Sequence, residues 1–506
     1  MRAEGLRNFI LRHEKLFAVL LLAVGFIVRC AFIGAFPGGL NQDEASAGYD
    51  AWALLNYGMD RCGNTWPVLL EAWGSGQNIL YSLMAMPFIA VFGLSELTLR
   101  IPAAAFGCVT LFVFWRLARR IRGAGFGLTA LFTLTVCPWH IMISRWALES
   151  NLLPGVLLAG IYFTLRAREN EWALVGAGVF FGLSLYAYGT AYFFLPVFLC
   201  AAVVIMRRSL RPRSFFTALG VFILIALPIS VCQLVNVLDL DGFTVLGVTI
   251  PKLTRARQSM TSVFGGGGLT ALGENIKTLW GILSTGSDGF SYNSIRPWGL
   301  FYVFGLPLAI AGLFFSLCMR RDHPDEKIMR WALYAALISS CLISGNINRL
   351  NMLWLPAVYF MAVGLHAVFR AAGVFSIPAA AAVLACFALF LGDYADVSGS
   401  GFFPGLGEAI CYTERMEPES VYITDQVNAP YIFALFYTQT PPDEFVRTVD
   451  YINPDGAFRA VRAFGHFRFG PEEDAEGEYC ILHFSEVNDL EIIAAFGNYC
   501  VCRGRN

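Results

Sequence analysis

The chain has 506 residues, of which 57% are hydrophobic, 15% aromatic and only 14% charged, with a formal net charge of -1. That balance excludes an ordinary soluble enzyme and points to a chain whose solvent is partly lipid. The net charge itself excludes nothing, but its distribution informs: most Arg and Lys lie early, whereas the segment after Gly392 has nineteen acids against seven bases.

Apolar blocks of about 15 to 21 residues alternate with short charged links, the pattern of a polytopic helical membrane protein. The first block, Leu16 to Phe36, follows Arg2, Arg7, Arg12 and Lys15, and no small-residue cleavage site comes after it. It reads as a retained first helix with its amino end cytoplasmic. Behind it comes FPGGLNQDEASAGYDAWALLNYG, Phe36 to Gly58, which sets Asp43 and Glu44 side by side just outside the span. Carboxylates near a helix start also cap it, and on that plainer account ASAGYDAWALLNYG is an interfacial helix with Tyr49, Trp52 and Tyr57 at headgroup depth.

The next block, Gln77 to Gly93, decides the topology. It has about seventeen residues, is broken by Pro87 and follows the Gly-rich WGSGQN. If it crosses, Arg116, Arg119, Arg120 and Arg122 fall outside and every later basic cluster inverts. If it lies half-embedded near the outer surface, spans near 101–118, 124–143, 151–166, 172–187, 190–206, 214–235, 297–318, 331–345, 350–369 and 374–392 alternate with the correct sign. The charge bias favours the second arrangement: about eleven spans plus an external juxtamembrane helix, in a membrane module 1–392 with external loops 37–100 and 236–296. The clusters Arg116 to Arg122, Arg166/Arg168, Arg207 to Arg213 and Arg320 to Arg330, with Arg370, are then cytoplasmic.

The loop 236–296 contains IPKLTRARQ and FGGGGL, which read as a mobile basic segment with a flexible hinge; GGGG lacks the Lys and Ser/Thr of a phosphate loop. After Gly392 the pattern turns to short β-rich runs, SVYITD and EYCILHF, with APYIFALFYTQ helical between them. A small extracytoplasmic α/β domain, 393–506, is expected. Most of the thirteen cysteines sit in spans as small apolar residues. Cys411, Cys480, Cys500 and Cys502 lie in the terminal domain and could pair, but no zinc signature and no Ser-His-Asp arrangement is present.

This topology brings Arg145 and Glu149 of ISRWALESN, and Arg349 of GNINRLN, to the same face as Asp43 and Glu44. Arg29 sits inside the first span, where an ionisable residue marks a site or path unless it snorkels outward. RCAFIGAFPGGLNQDE, then GLSELTLRIPAAAFG, then SRWALESNLL resembles the membrane glycosyltransferases of GT-C architecture. The similar groups are family 39, the protein O-mannosyltransferases, and the aminoarabinose transferases with their bacterial polyprenyl-phosphate-sugar-dependent relatives. The resemblance covers roughly the first 200 residues, with a further match at NINRLNMLWLPAVYF.

It implies sugar transfer from a polyprenyl-phosphate donor to a protein, lipid or envelope-glycan acceptor on the outer side of the bilayer, with inversion. Asp43 matches the catalytic Asp of the family's first external loop, and Glu149 stands where relatives often carry a second acid, with Glu44 a further candidate. Arg349 matches a basic position near the lipid phosphate, with Arg145 and Arg29 as further donor-phosphate candidates. GSGQNILY departs from the family, which often has His-Pro-Pro or Glu-Lys-Pro there, so a phosphate-contacting group is missing. A carboxylate base and arginine forks fit such chemistry. No cofactor is implied, although two external acids leave room for a divalent cation, and nothing points to nucleic acid. A lipid-linked oligosaccharide transporter or flippase would place acids and broken helices near mid-bilayer, often in two related halves. An envelope polymer ligase would draw on a diphosphate-linked donor instead. A non-enzymatic sensor with an external domain would have no use for an acidic pair with distant arginines.

Overall fold

A computed structural model describes residues 2–255, 262–265, 267–318, 324–396, 401–456, 458–471, 477–487 and 490–504. Part of the IPKLTRARQ stretch, one glycine of GGGG, and Arg320 and Arg321 lie outside the described residues. The membrane part begins with α1 (Arg2–Arg12) and α2 (Glu14–Cys30), followed by α3 (Gln42–Tyr57). A hairpin, β1 (Leu69–Ala72) and β2 (Ser75–Asn78), leads into α4 (Leu80–Phe92) and the long α5 (Glu96–Arg122). Then come α6 (Ala124–Thr135), α7 (Pro138–Ile143), α8 (Leu153–Arg166), α9 (Ala173–Ala187), α10 (Ala191–Met206) and α11 (Pro212–Val237).

By length and composition, four helices are long and apolar enough to cross a membrane: α5, α11, and two later ones, Asn351–Ala372 and Ser376–Ala395. Five more are apolar but shorter, among them α4. At 13 residues α4 extends about 20 Å, two-thirds of a hydrocarbon core.

The stretch 124–143, expected as one helix, is two. Pro138 opens α7 at a position where its missing N–H costs nothing, and α6 stops at Thr135 because the proline ring cannot continue it. The loop 236–296 holds more order than a hinge. It carries the hairpin β3 (Phe243–Val245) and β4 (Val248–Ile250), then the 18-residue α12 (Gly268–Thr285). Leu279 and Ile282 of α12 are buried three residues apart, an amphipathic stripe that packs on the next long helix. The helices α13 (Gly305–Cys318), α14 (Pro324–Leu342), α15 (Asn351–Ala372) and α16 (Ser376–Asp396) complete this part. Residues 297–304, expected to open a span, precede α13 as turns.

The C-terminal segment forms α17 (Leu406–Glu414), β5 (Val421–Thr424), α18 (Pro430–Thr438), α19 (Pro442–Thr448) and the strands β6 (Asp450–Tyr451) through β11 (Tyr499–Arg503). Its seven strands order as β10-β11-β9-β5-β8-β7-β6, where β7 is Val461–Phe464, β8 Phe467–Gly470, β9 Tyr479–His483 and β10 Ile492–Phe496. β5 is central, fully buried, and parallel to both neighbours, β8 and β9; the other pairs are antiparallel. No disulfide forms among the described residues, and Cys480, Cys500 and Cys502 are buried together in one sheet face.

This segment packs onto α3 rather than standing apart. Tyr49 donates to Thr440 O at 2.6 Å and is wholly buried, so its ring does not face lipid headgroups; the terminal segment covers that face of α3. Gly39, at φ 72, lies so close to 401–404 that a Cβ would meet the Phe403 carbonyl carbon at 2.5 Å, so only glycine fits there. Asn41 Nδ2 donates to Gly401 O at 2.7 Å across the same junction.

Candidate active site

The sequence NQDE is the start of α3. Asn41 is its N-cap: the Asn41 side chain accepts from Asp43 N, and Glu44, three residues on, accepts from Asn41 N, a reciprocal capping box. Glu44 does more than cap. Its buried carboxylate accepts from Arg100 Nε at 2.9 Å and Nη2 at 2.8 Å, a bidentate fork, and from Ala147 N at 2.7 Å. Arg100 spends its other donors on Pro37 O and Gly39 O. Glu44 thus ties α3, α5 and the turn before Glu149 into one rigid unit, and RIPAA supplies its partner.

Asp43 is half-buried one residue away and faces elsewhere. It lines a cavity of about 900 Å³ between α3 and the terminal sheet, with Trp73, Tyr431, Phe458, Arg459 and Arg468 among the walls. The β1–β2 hairpin closes with Trp73 and Gly74 at φ 62 and 86, both left-handed as a type I′ turn requires. A tryptophan held there costs about 1–3 kcal/mol, and such outliers gather at functional sites. Its neighbours hold it: Arg61 lies 5.5 Å over the ring, Tyr431 packs edge-on at 6.0 Å, and Trp73 O accepts from Arg459 N.

The same hairpin joins Asp43 to Glu149. Gln77 on β2 donates to Asp43 O and accepts from Ser46 Oγ at 2.6 Å, and the next residue, Asn78, donates its backbone N–H to the buried Glu149 carboxylate. Glu149 and Arg349 share a second cavity of about 80 Å³, lined also by Asn78, Tyr188, Tyr192 and Gln233. Arg349 donates from Nη1 to Ser344 O and Oγ; among the described residues Nη2 and Nε have no hydrogen bond. Tyr292 lies within electrostatic reach of both ends. Burial, Asp288 and Asp43 push its hydroxyl up to about 12, while Arg349 opposes them.

Glu149 and Arg349 thus share the smaller cavity and Asp43 lines the larger one, with β2 bridging the two and Glu44 bracing α3 beside them. Arg29 and Arg145 are engaged away from that cavity. Arg29 Nη2 donates to Leu134 O at 3.0 Å, and its Nε meets His140 Nδ1 at 3.2 Å. Arg145 donates to Val28 O, Ala31 O and Phe36 O. Each caps carbonyls left open at a helix end, Arg29 at α6 and Arg145 at α2. Among the described residues no group of three or more His, Cys, Asp or Glu side chains could hold a metal ion.

Sequence reading missed Arg100, Trp73, Arg459 and a buried cluster under α3. There Asp50 pairs with Arg61 at 2.5 Å, and Asp60 accepts from Cys62 N and Asn64 N, both at 2.9 Å. Burial and the neighbouring Asp50 push the Asp60 carboxyl up to about 7 from 3.8, against hydrogen bonds from Asn64. A raised carboxyl stabilises the fold most below its unfolded value, and that contribution is lost as pH rises through about 7. Between about pH 5 and about pH 8 the melting temperature of the wild type is therefore expected to fall further than that of Asp60→Asn. Parallel melting curves over that range would contradict the assignment.

Residues 77–231 match the family model described as dolichyl-phosphate-mannose-protein mannosyltransferase. No curated protein matches the chain. Among solved structures, the chain is similar to ArnT from Cupriavidus metallidurans in the apo state, with a TM-score of 0.56 and 14% identity over 96% of this chain and 97% of that one. The same protein bound to undecaprenyl phosphate gives a TM-score of 0.54 at 14% identity and the same coverage. The Archaeoglobus fulgidus oligosaccharyltransferase in the apo form gives 0.54 at 12% identity, over 84% of this chain and 63% of that one.

Proposed function

We infer that this chain, which has the GT-C fold, is a membrane glycosyltransferase that moves a sugar from a polyprenyl-phosphate carrier to an extracytoplasmic acceptor with inversion. One observation carries the reading: Arg349, with two guanidinium nitrogens uncommitted among the described residues, shares a cavity with Glu149, and β2 links that cavity directly to Asp43. The family match over 77–231 and the undecaprenyl phosphate in the similar ArnT structure support a polyprenyl-phosphate donor.

In this mechanism the donor's apolar tail lies between helices and its phosphate meets Arg349. Asp43 accepts the proton of an acceptor hydroxyl as its oxygen attacks the anomeric carbon from the face opposite the phosphate. The carbon–oxygen bond to phosphate breaks, and the polyprenyl phosphate leaves with its charge held by the arginine fork. Glu149, already oriented by Asn78 N, accepts from sugar hydroxyls. Glu44 positions, and Arg29 and Arg145 brace the helix ends. The cavity of about 900 Å³ beside Asp43 receives the acceptor, a protein, lipid or envelope glycan, and residues 393–506 form its extracytoplasmic roof. The membrane module is 1–392, with a cytoplasmic amino end.

Two measurements test this. Arg349→Ala is expected to raise the donor concentration needed for half-maximal transfer by about tenfold or more, the worth of a lost charged hydrogen bond. Arg349→Lys, which keeps charge but not the fork, falls between; unchanged donor use in Arg349→Ala would reject the role. For sidedness, Ser95 and Gly123 flank α5 and both are exposed. In a background without reactive native thiols, cysteine at 95 is expected to react with an impermeant reagent from outside and cysteine at 123 to be spared. The reverse pattern would invert the site.

A further inference from the structure

A third cavity takes no part in this chemistry. It measures about 170 Å³ and is walled by α9, α10 and α11, with Ala177, Phe181, Ala202, Phe215 and Phe222 among its lining. Apart from Thr164 the lining is apolar. Its walls run from Leu199 to Met206 on α10 and from Phe215 to Phe222 on α11, about 10 Å of helix each. Val203 and Leu219 line it and are exposed, and their neighbours Val204, Phe216 and Ile223 are more so, so the groove opens toward the bilayer.

One end of the groove is Leu210, in the link between α10 and α11. That link is basic: Arg207, Arg208, Arg211 and Arg213 are all exposed within seven residues. Arg211 pairs with Glu171 at 3.1 Å, and Arg213 lies 5.6 Å over the half-exposed Trp172. Arg207 and Arg208 have no ion pair among the described residues. An apolar slot that ends in four clustered arginines against one paired acid, flanked by an indole, matches a chain joined to an anionic headgroup.

We propose that this groove is a binding site for one anionic diacyl phospholipid, with an acyl chain in the slot and its phosphate on Arg207, Arg208 and Arg211. The lipid is not the sugar donor. The cavity holding Arg349 takes Thr190, Tyr192 and Phe193 from the start of α10, about 9 Å along the helix from Leu199 at the near end of the groove and about 21 Å from Arg207.

The test is native mass spectrometry of the purified full chain, exchanged into detergent with equal amounts of dioleoyl phosphatidylglycerol and dioleoyl phosphatidylethanolamine. One phosphatidylglycerol is expected to be retained in preference, by at least about fivefold. The triple variant R207Q/R208Q/R211Q, altered only at exposed positions, is expected to lose that preference. Ala202→Leu, which fills the slot, is expected to lower retention of both lipids. Equal retention of the two lipids by the wild type, or a preference that survives the triple substitution, overturns the proposal. So does displacement of the phosphatidylglycerol by undecaprenyl phosphate, which would make the groove a carrier site.

Discussion

Asp43→Asn is expected to lower sugar transfer at least about a hundredfold while the protein still binds the lipid donor and elutes as a folded species. A positioned general base contributes about a hundredfold to ten-thousandfold, and the amide cannot accept the proton. Structural loss is small because Asn41, not Asp43, caps α3, and the closing bond comes from Glu44. What Asp43 gives the helix is a charge in its first turn, worth about 0.3–1 kcal/mol. Single-turnover transfer separates the two roles. Near-normal turnover in this variant would move the base elsewhere, and Glu149 would be the better candidate, since Glu44 is fully engaged by Arg100, Ala147 and Asn41.

Glu44→Ala is expected to destabilise the protein by about 3–5 kcal/mol, the cost of leaving one partner of a buried ion pair uncompensated. Arg100 is wholly buried, and the substitution also strips the acceptor from Ala147 N and Asn41 N. Replacing both partners, as in Glu44→Ala with Arg100→Met, is expected to recover much of the loss, because the stranded charge is gone. Thermal unfolding in detergent reads this directly. If Glu44→Ala melts like the wild type and loses only turnover, its carboxylate is chemical rather than structural.

The helices were legible where apolar length is the signal: α8, α9, α10 and α11 fall within two residues of the runs read from composition. The β-runs after Gly392 were legible too, since VYIT and YCILH both became strands. What failed was long-range. Nothing local says that β5 sits between β8 and β9, because that order depends on crossovers. The α12 helix was hidden behind four glycines, which read as a hinge although an amphipathic stripe follows them.

Charges were the hardest to place. Arg29, Arg145 and Arg349 all look alike in sequence, as arginines at span boundaries or within them. Only the fold distinguishes two that cap carbonyls from one that faces a cavity. The acidic pair divides in the same way: Glu44 meets Arg100, 56 residues distant in the chain, and Asp43 faces the large cavity. That division was invisible to spacing, because adjacent residues on a helix point in different directions.

The most direct test of the transferase reading is mass spectrometry of lipid-linked sugars and surface glycans, lipids and proteins from cells with the wild-type gene, without it, and with Asp43→Asn. The account predicts that a polyprenyl-phosphate sugar accumulates in both defective strains, while one envelope acceptor loses the corresponding sugar mass. An unchanged carrier pool and unchanged acceptors in cells lacking the gene would contradict it.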